Sequence, residues 1–160
     1  MKTLLHKVHL SIIPVLLVSL SVSAQDDKST AVQAMVAAKK YVFNVQSVTP
    51  MKGGARQQTP GFTLKVSADT IKADLPYFGR VYQAPVNPSD GGIKFVSTNF
   101  TYTEKPRKKG GWDITIVPKD NRDVQDIYLT ISTDGYTTVN VNCTDRQPIS
   151  YYGYLEATKQ

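Results

Sequence analysis

At Tyr41 the spacing of apolar residues changes. Before it they recur every three or four positions, and after it every second position, a pattern carried by β-branched and aromatic residues to the end of the chain. A chain that alternates in this way can bury only one face of each strand. Short turns between strands make their pairing antiparallel. The register of each hairpin is then testable from sequence, because a correct one sets apolar residues opposite each other.

Three hairpins meet that condition. Phe62, Leu64 and Val66 alternate with polar residues, and a two-residue turn at Ala68-Asp69 sets Val66 against Ile71, Leu64 against Ala73 and Phe62 against Leu75. A three-residue loop, Thr133-Asp134-Gly135, sets Leu129 against Val139 and Ile127 against Val141, with glycine where a left-handed backbone is required. A loop from Thr144 to Pro148 sets Cys143 against Ile149 and Val141 against Tyr151. A central hairpin, with Phe100 facing Ile114 and Tyr102 facing Trp112, works only if a bulge near Ser97 to Asn99 corrects the parity of Ile93 and Phe95.

With an opening strand at 41–48, the reading is eight strands: 41–48, 61–67, 70–75, 93–102, 111–117, 126–132, 136–143 and 148–155. Hairpin links favour an up-and-down meander closed as a lipocalin-like barrel, and closure removes unpaired edges. The alternative is a two-sheet β-sandwich, with the connections 49–60 and 78–92 crossing between sheets. One short helix precedes the strands. Ser29 or Thr30 is its expected N-cap, Val32, Met35 and Val36 form its apolar stripe, and it ends near Lys40.

The first 24 residues have the form of an export signal: Lys2 and Lys7, an apolar run from Leu10 to Val22, and small residues ending in Val22-Ser23-Ala24 before Gln25. The run is too short and too interrupted by Pro14 and serines to span a bilayer, which takes about 20 apolar residues. Cleavage after Ala24 is expected to leave a single β-rich domain, 25–160, in the periplasm or secreted, with no transmembrane segment. No cysteine stands at position 25 to take lipid. The full 160 residues hold 19 Lys and Arg against 13 Asp and Glu, a net +6, and losing Lys2 and Lys7 with the signal leaves +4. Both histidines, His6 and His9, go with it, so the mature chain has no imidazole and a single cysteine, Cys143. Catalytic and metal-ligating vocabulary is therefore sparse, no cofactor motif occurs, and an enzyme is not expected.

Leu75-Pro76-Tyr77-Phe78-Gly79-Arg80, followed by Tyr82, Ala84-Pro85 and Gly91-Gly92-Ile93-Lys94-Phe95, forms a distinctive segment. With the Lys109-Gly110-Gly111-Trp112 turn, Gly135 and the closing Ile149, Tyr151 and Gly153, it resembles the bacterial family called domain of unknown function 4251, exported proteins and lipoproteins of Bacteroidetes. The resemblance implies an envelope protein with a mainly antiparallel β fold, and no activity, cofactor or site residue comes with it. This chain departs from the lipoprotein members in lacking the lipidation cysteine.

Tyr77, Phe78, Arg80 and Tyr82 are the candidate ligand-binding residues, since aromatic faces around one guanidinium at a barrel mouth suit a planar or anionic ligand. Structurally, the same residues could plug the barrel end, with Arg80 clamping loop carbonyls. Lys105, Arg107, Lys108 and Lys109 could attract anionic lipid, but between Glu104 and Asp113 they read more simply as a charged hairpin tip that discourages edge pairing. Asp120, Asp123 and Asp126 lack the alternation and turn glycine of a calcium loop, so no metal site is assigned. Cys143 reads as a buried, inert thiol. Export and modest charge argue against nucleic acid. The open functions are a small envelope binding module for an apolar or partly anionic ligand, with its partner that ligand or another envelope protein, or a structural domain whose core is filled by Phe62, Phe100, Trp112 and Tyr151.

Overall fold

The computed structural model describes residues 20–82 and 91–158. The expected signal up to residue 19 and the Ala84-Pro85 pair lie outside the described residues. Helix α1 runs from Leu20 to Ala37, and ten strands follow: β1 Tyr41–Pro50, β2 Arg56–Gln57, β3 Thr63–Val66, β4 Ile71–Pro76, β5 Gly92–Ser97, β6 Phe100–Pro106, β7 Trp112–Pro118, β8 Val124–Ile131, β9 Tyr136–Cys143 and β10 Ile149–Ala157.

The helix starts well before the expected cap. Ser29 and Thr30 lie in its interior, because Ala24, Gln25 and Lys28 are good helix formers and nothing before Ser29 breaks the backbone. It ends where Lys39 turns to a φ of 49°, with Lys39 N–H donating to Val36 and Lys40 N–H to Met35. These two bonds satisfy carbonyls that the last turn leaves open. Val32 and Val36, one turn apart, are buried, and they seat the helix on the barrel beside the Gly135 turn.

All the strands join one antiparallel sheet in the order β5-β4-β3-β1-β10-β9-β8-β7-β6, with β2 paired to β1 off that path. The first long strand pairs with the last along nearly its whole length, from Tyr41 opposite Ala157 to Pro50 opposite Ile149. The sheet is thereby wrapped nearly into a barrel. Among the described residues its two edges are β5 and β6, which are consecutive in sequence. Only Thr98 and Asn99 separate them, so the expected single strand 93–102 is two strands that belong to opposite edges. Asp120 holds this corner: its carboxylate accepts from the buried Ser97 hydroxyl, from Thr98 N–H at 2.9 Å and from Asn99 N–H at 3.1 Å. These bonds pull the Asp120 carboxyl below the usual carboxylate range, the Ser97 bond most of all.

Two hairpins keep the expected register, with Val66 opposite Ile71, Leu64 opposite Ala73, Leu129 opposite Val139 and Ile127 opposite Val141. Two others shift by an even number of residues, which preserves the buried face. Phe100 faces Pro118 and Tyr102 faces Ile116, because β6 continues to Pro106 and the loop contracts to 107–111, where Gly110 and Gly111 take positive φ. Ile149 faces Val141 and Tyr151 faces Val139, while Cys143 pairs with Val124 across β8. An even slip leaves every side chain on its own face, so alternation alone could not detect it.

The interior is filled. Tyr41, Phe43, Leu64, Ile71, Leu75, Ile114, Ile116, Ile127, Leu129, Ile131, Ile149 and Tyr151 are all fully buried, and Phe62, Phe100, Trp112 and Cys143 pack against them in part. The two core tyrosines bond their hydroxyls, as buried polar groups must. Tyr151 donates to the Pro76 carbonyl at 2.8 Å, and Tyr41 lies 3.2 Å from the Tyr102 hydroxyl.

Candidate functional site

The Tyr77–Tyr82 segment follows β4 and lies against the loop that ends β9. Val81 bridges to Arg146, Tyr82 N–H donates to Asp145 and Gln147 N–H donates to the Arg80 carbonyl. Tyr77 turns inward. Its hydroxyl sits 2.8 Å from the Arg80 carbonyl and 3.0 Å from that of Gln147, and its ring occupies the space that a Cβ on Gly79 would need. Burial raises its pKa. Phe78, Arg80 and Tyr82 point outward and are exposed. The segment thus separates the four candidates: Tyr77 is buried with the core, while Arg80 contributes its backbone carbonyl and leaves its side chain exposed with Phe78 and Tyr82.

The clamp on this end is Arg146. Its guanidinium lies 5.2 Å from the Tyr77 ring centroid and donates to the Gly92 carbonyl at 3.1 Å, tying the β9–β10 loop to β5. Arg146 stands in an ordinary polar loop sequence, Thr144-Asp145-Arg146-Gln147, and no local pattern marks it. On the other side, Arg56 lies 5.2 Å from the centroid of Phe78.

Arg56 leads to a surface concavity. The chain between β1 and β3 leaves the barrel, pairs briefly with β1 as β2, with Ser47 opposite Gln57, and returns at Phe62. Between this excursion and the outer face of β1 and β10 lies a half-open groove of about 420 Å³. That volume is within the range of about 300–1,000 Å³ of small-molecule sites. Asn44, Gln46, Gln57, Gln58, Tyr152 and Tyr154 supply its polar and aromatic groups, and Val45, Pro60 and Phe62 its apolar ones. None of the lining residues is ionisable as acid or base except through the tyrosine phenols. Tyr152 is nearly half exposed and stacks on Tyr136 of β9, rings parallel within 2° and centroids 5.9 Å apart.

Residues 23–155 match the family described as Domain of unknown function (DUF4251). The chain belongs to that family. A crystal structure of a DUF4251 family protein from Bacteroides eggerthii superposes with a TM-score of 0.64 at 17% identity, covering 84% of this chain and 91% of that one. At that identity the likeness shows the fold alone. No curated protein matches the sequence.

The other groups singled out in this DUF4251 chain take separate places. Arg107 pairs with Asp113 at 3.6 Å, and Arg107 and Gly111 close the hairpin tip, so the cations there decorate the β6 edge. Asp120 holds the β5–β6 corner, and Asp126 accepts from Asn142 at 2.7 Å on the outer face. Among the described residues no three acidic, His or Cys side chains converge as a metal site would require. Cys143 is half-buried, and burial pushes its thiol up to about 11. A thiol held protonated at neutral pH is a weak nucleophile.

Proposed function

We propose that this DUF4251 protein is a binding module of the bacterial cell envelope whose ligand site lies outside the barrel, in the groove between β1, β10 and the β2 excursion. The carrying observation is the contrast between two volumes. Inside, aromatic and branched side chains occupy the space, while the outer groove has the size of a small-molecule site and is lined by aromatic rings and amides. The three-part N-terminal signal and the absence of a cysteine at position 25 support export with cleavage after Ala24. The absence of histidine after that point supports binding rather than catalysis.

The filled core also favours a second reading, a structural or protein-interaction domain without a ligand, for which the free edges β5 and β6 would be the contact sites. Native mass spectrometry of protein purified from its own envelope separates the two. A discrete added mass that is lost on substituting Tyr152→Ala supports the groove. The bare mass, or a mass bound to another protein that survives the substitution, overturns it.

A further inference from the structure

We infer that the groove takes a neutral, hydroxyl-rich ligand of the glycan class; this rests on the binding-module reading above and adds the ligand's chemistry. The wall contains no Lys, Arg, Asp or Glu. The nearest cation along the chain, Arg56, is turned to the ring of Phe78. An anionic ligand would therefore lose water in the groove without meeting a counter-charge, which is costly, and for a cationic one the carboxylate beside the wall, Glu156, is already engaged by the Asn44 amide. An apolar ligand fares no better, because covering Gln46, Gln57 and Gln58 with hydrocarbon would strip water from amides and leave them unpaired.

A sugar answers both kinds of group. Each primary amide offers two donors and an acceptor, and each ligand hydroxyl both donates and accepts, so the two match whichever way the hydroxyl turns. Part of this set is already oriented. Asn44 gives one amide hydrogen to Glu156 at 3.1 Å and keeps its carbonyl oxygen as an acceptor, and Gln58 gives one hydrogen to the Gln57 carbonyl at 3.1 Å. The apolar C–H faces of a sugar ring suit the tyrosine rings. Tyr152 has one face held by Tyr136, which fixes its plane before a ligand arrives and reduces the entropy lost on binding.

The test titrates the folded, signal-processed protein with defined probes while amide resonances are followed by NMR. The probes are neutral gluco-, galacto- and manno-oligosaccharides, the same backbones carrying sulfate or uronate, and a short-chain fatty acid. Shifts confined to β1, β2 and β10 with a neutral oligosaccharide support the inference, provided that Tyr152→Ala weakens binding about tenfold and Tyr152→Phe changes it by less than about twofold. Saturable binding of only the sulfated, uronate or fatty-acid probe in the same groove overturns the glycan class and leaves the binding module standing. No shift at the groove with any probe at concentrations of about 1 mM, together with a bare native mass, overturns both.

Discussion

Gly153 is the position where adding one methyl group tests the barrel most directly. It lies on β10 opposite Val45, where the pairing with β1 steps over a bulge between Val45 and Ser47. A Cβ built there would stand 1.9 Å from the Asn44 carbonyl oxygen, 2.9 Å from its carbon and 3.0 Å from Cε2 of Phe43. Ordinary contact begins at 3.4 Å, so the strands would have to part by about 1.5 Å. The obstacle is backbone, and it cannot rotate away as a side chain could. Overpacking of this kind costs about 1–3 kcal/mol, and losing one or two neighbouring ladder bonds adds about 1 kcal/mol each, so Gly153→Ala should cost about 2–5 kcal/mol. In a domain of this size that lowers the melting temperature by about 6–20 °C and the urea midpoint by about 1–2.5 M. Gly54→Ala is the control, since its Cβ would meet nothing within 4 Å, and it should stay within about 0.5 kcal/mol of the parent. If Gly153→Ala melts with the parent, the β1–β10 closure described above is wrong.

Three further outcomes follow from named contacts. Arg146→Met removes the bond to Gly92 and the stack on Tyr77 and should cost about 1–3 kcal/mol by urea melts, whereas Arg80→Met should stay within about 0.5 kcal/mol; the reverse order would return the clamp to Arg80. Gly135 sits at a φ of 87° with Val32 Cγ2 3.2 Å from its Cβ position, so Gly135→Val should cost at least about 1–3 kcal/mol and loosen α1, seen as faster amide exchange around Val32 and Val36. Burial raises the Tyr102 phenol to about 12 and Tyr41 well above its ordinary value. The unfolded chain therefore gives up these protons first. Their contribution to stability is intact below pH 10 and is lost as pH rises from about 10 towards 12 and beyond, a loss that Tyr102→Phe should reduce. An alkaline urea series in which parent and Tyr102→Phe fall in parallel would contradict the buried Tyr41–Tyr102 pair.

The fold was legible because burial has a period. Alternation placed Leu64, Val66, Ile127, Leu129, Val139 and Val141 on the inner face, and in the structure all six are buried. Position along the strand was legible only where a tight turn set the register, as at Ala68-Asp69 and at Gly135. In the longer loops, at 107–111 and between Cys143 and Ile149, the sequence permits slips of two or four residues, since each keeps the same face buried. The break at Thr98-Asn99 had a signal in the parity conflict between Ile93, Phe95 and Phe100. A bulge explains that conflict as well as a corner does, and the carboxylate that decides for the corner, Asp120, lies 21 residues beyond Asn99.

The candidate site was less legible, for a geometric reason. Dense aromatics make Tyr77–Tyr82 visible as a local motif, and within it the structure engages Tyr77 alone, packed on Gly79 with its hydroxyl at two loop carbonyls, and leaves Phe78, Arg80 and Tyr82 exposed. The groove is assembled from the outward positions of β1 and β10 and from an irregular excursion between β1 and β3. Asn44 and Gln46 are about a hundred residues from Tyr152 and Tyr154, and they meet only because the first long strand pairs with the last. On an ordinary outward face such positions would carry charge. Here Asn44, Gln46, Tyr152 and Tyr154 carry none, although the sequence has 19 basic and 13 acidic side chains to place. A solvent-facing surface that gathers rings and amides, with charge at its margin in Glu156 and Arg56, gives up part of the usual route to solubility. That choice has a physical rationale if something uncharged and hydrogen-bonding covers the surface, and it is the outer face of the closure, rather than the enclosed volume, where such a partner should be sought.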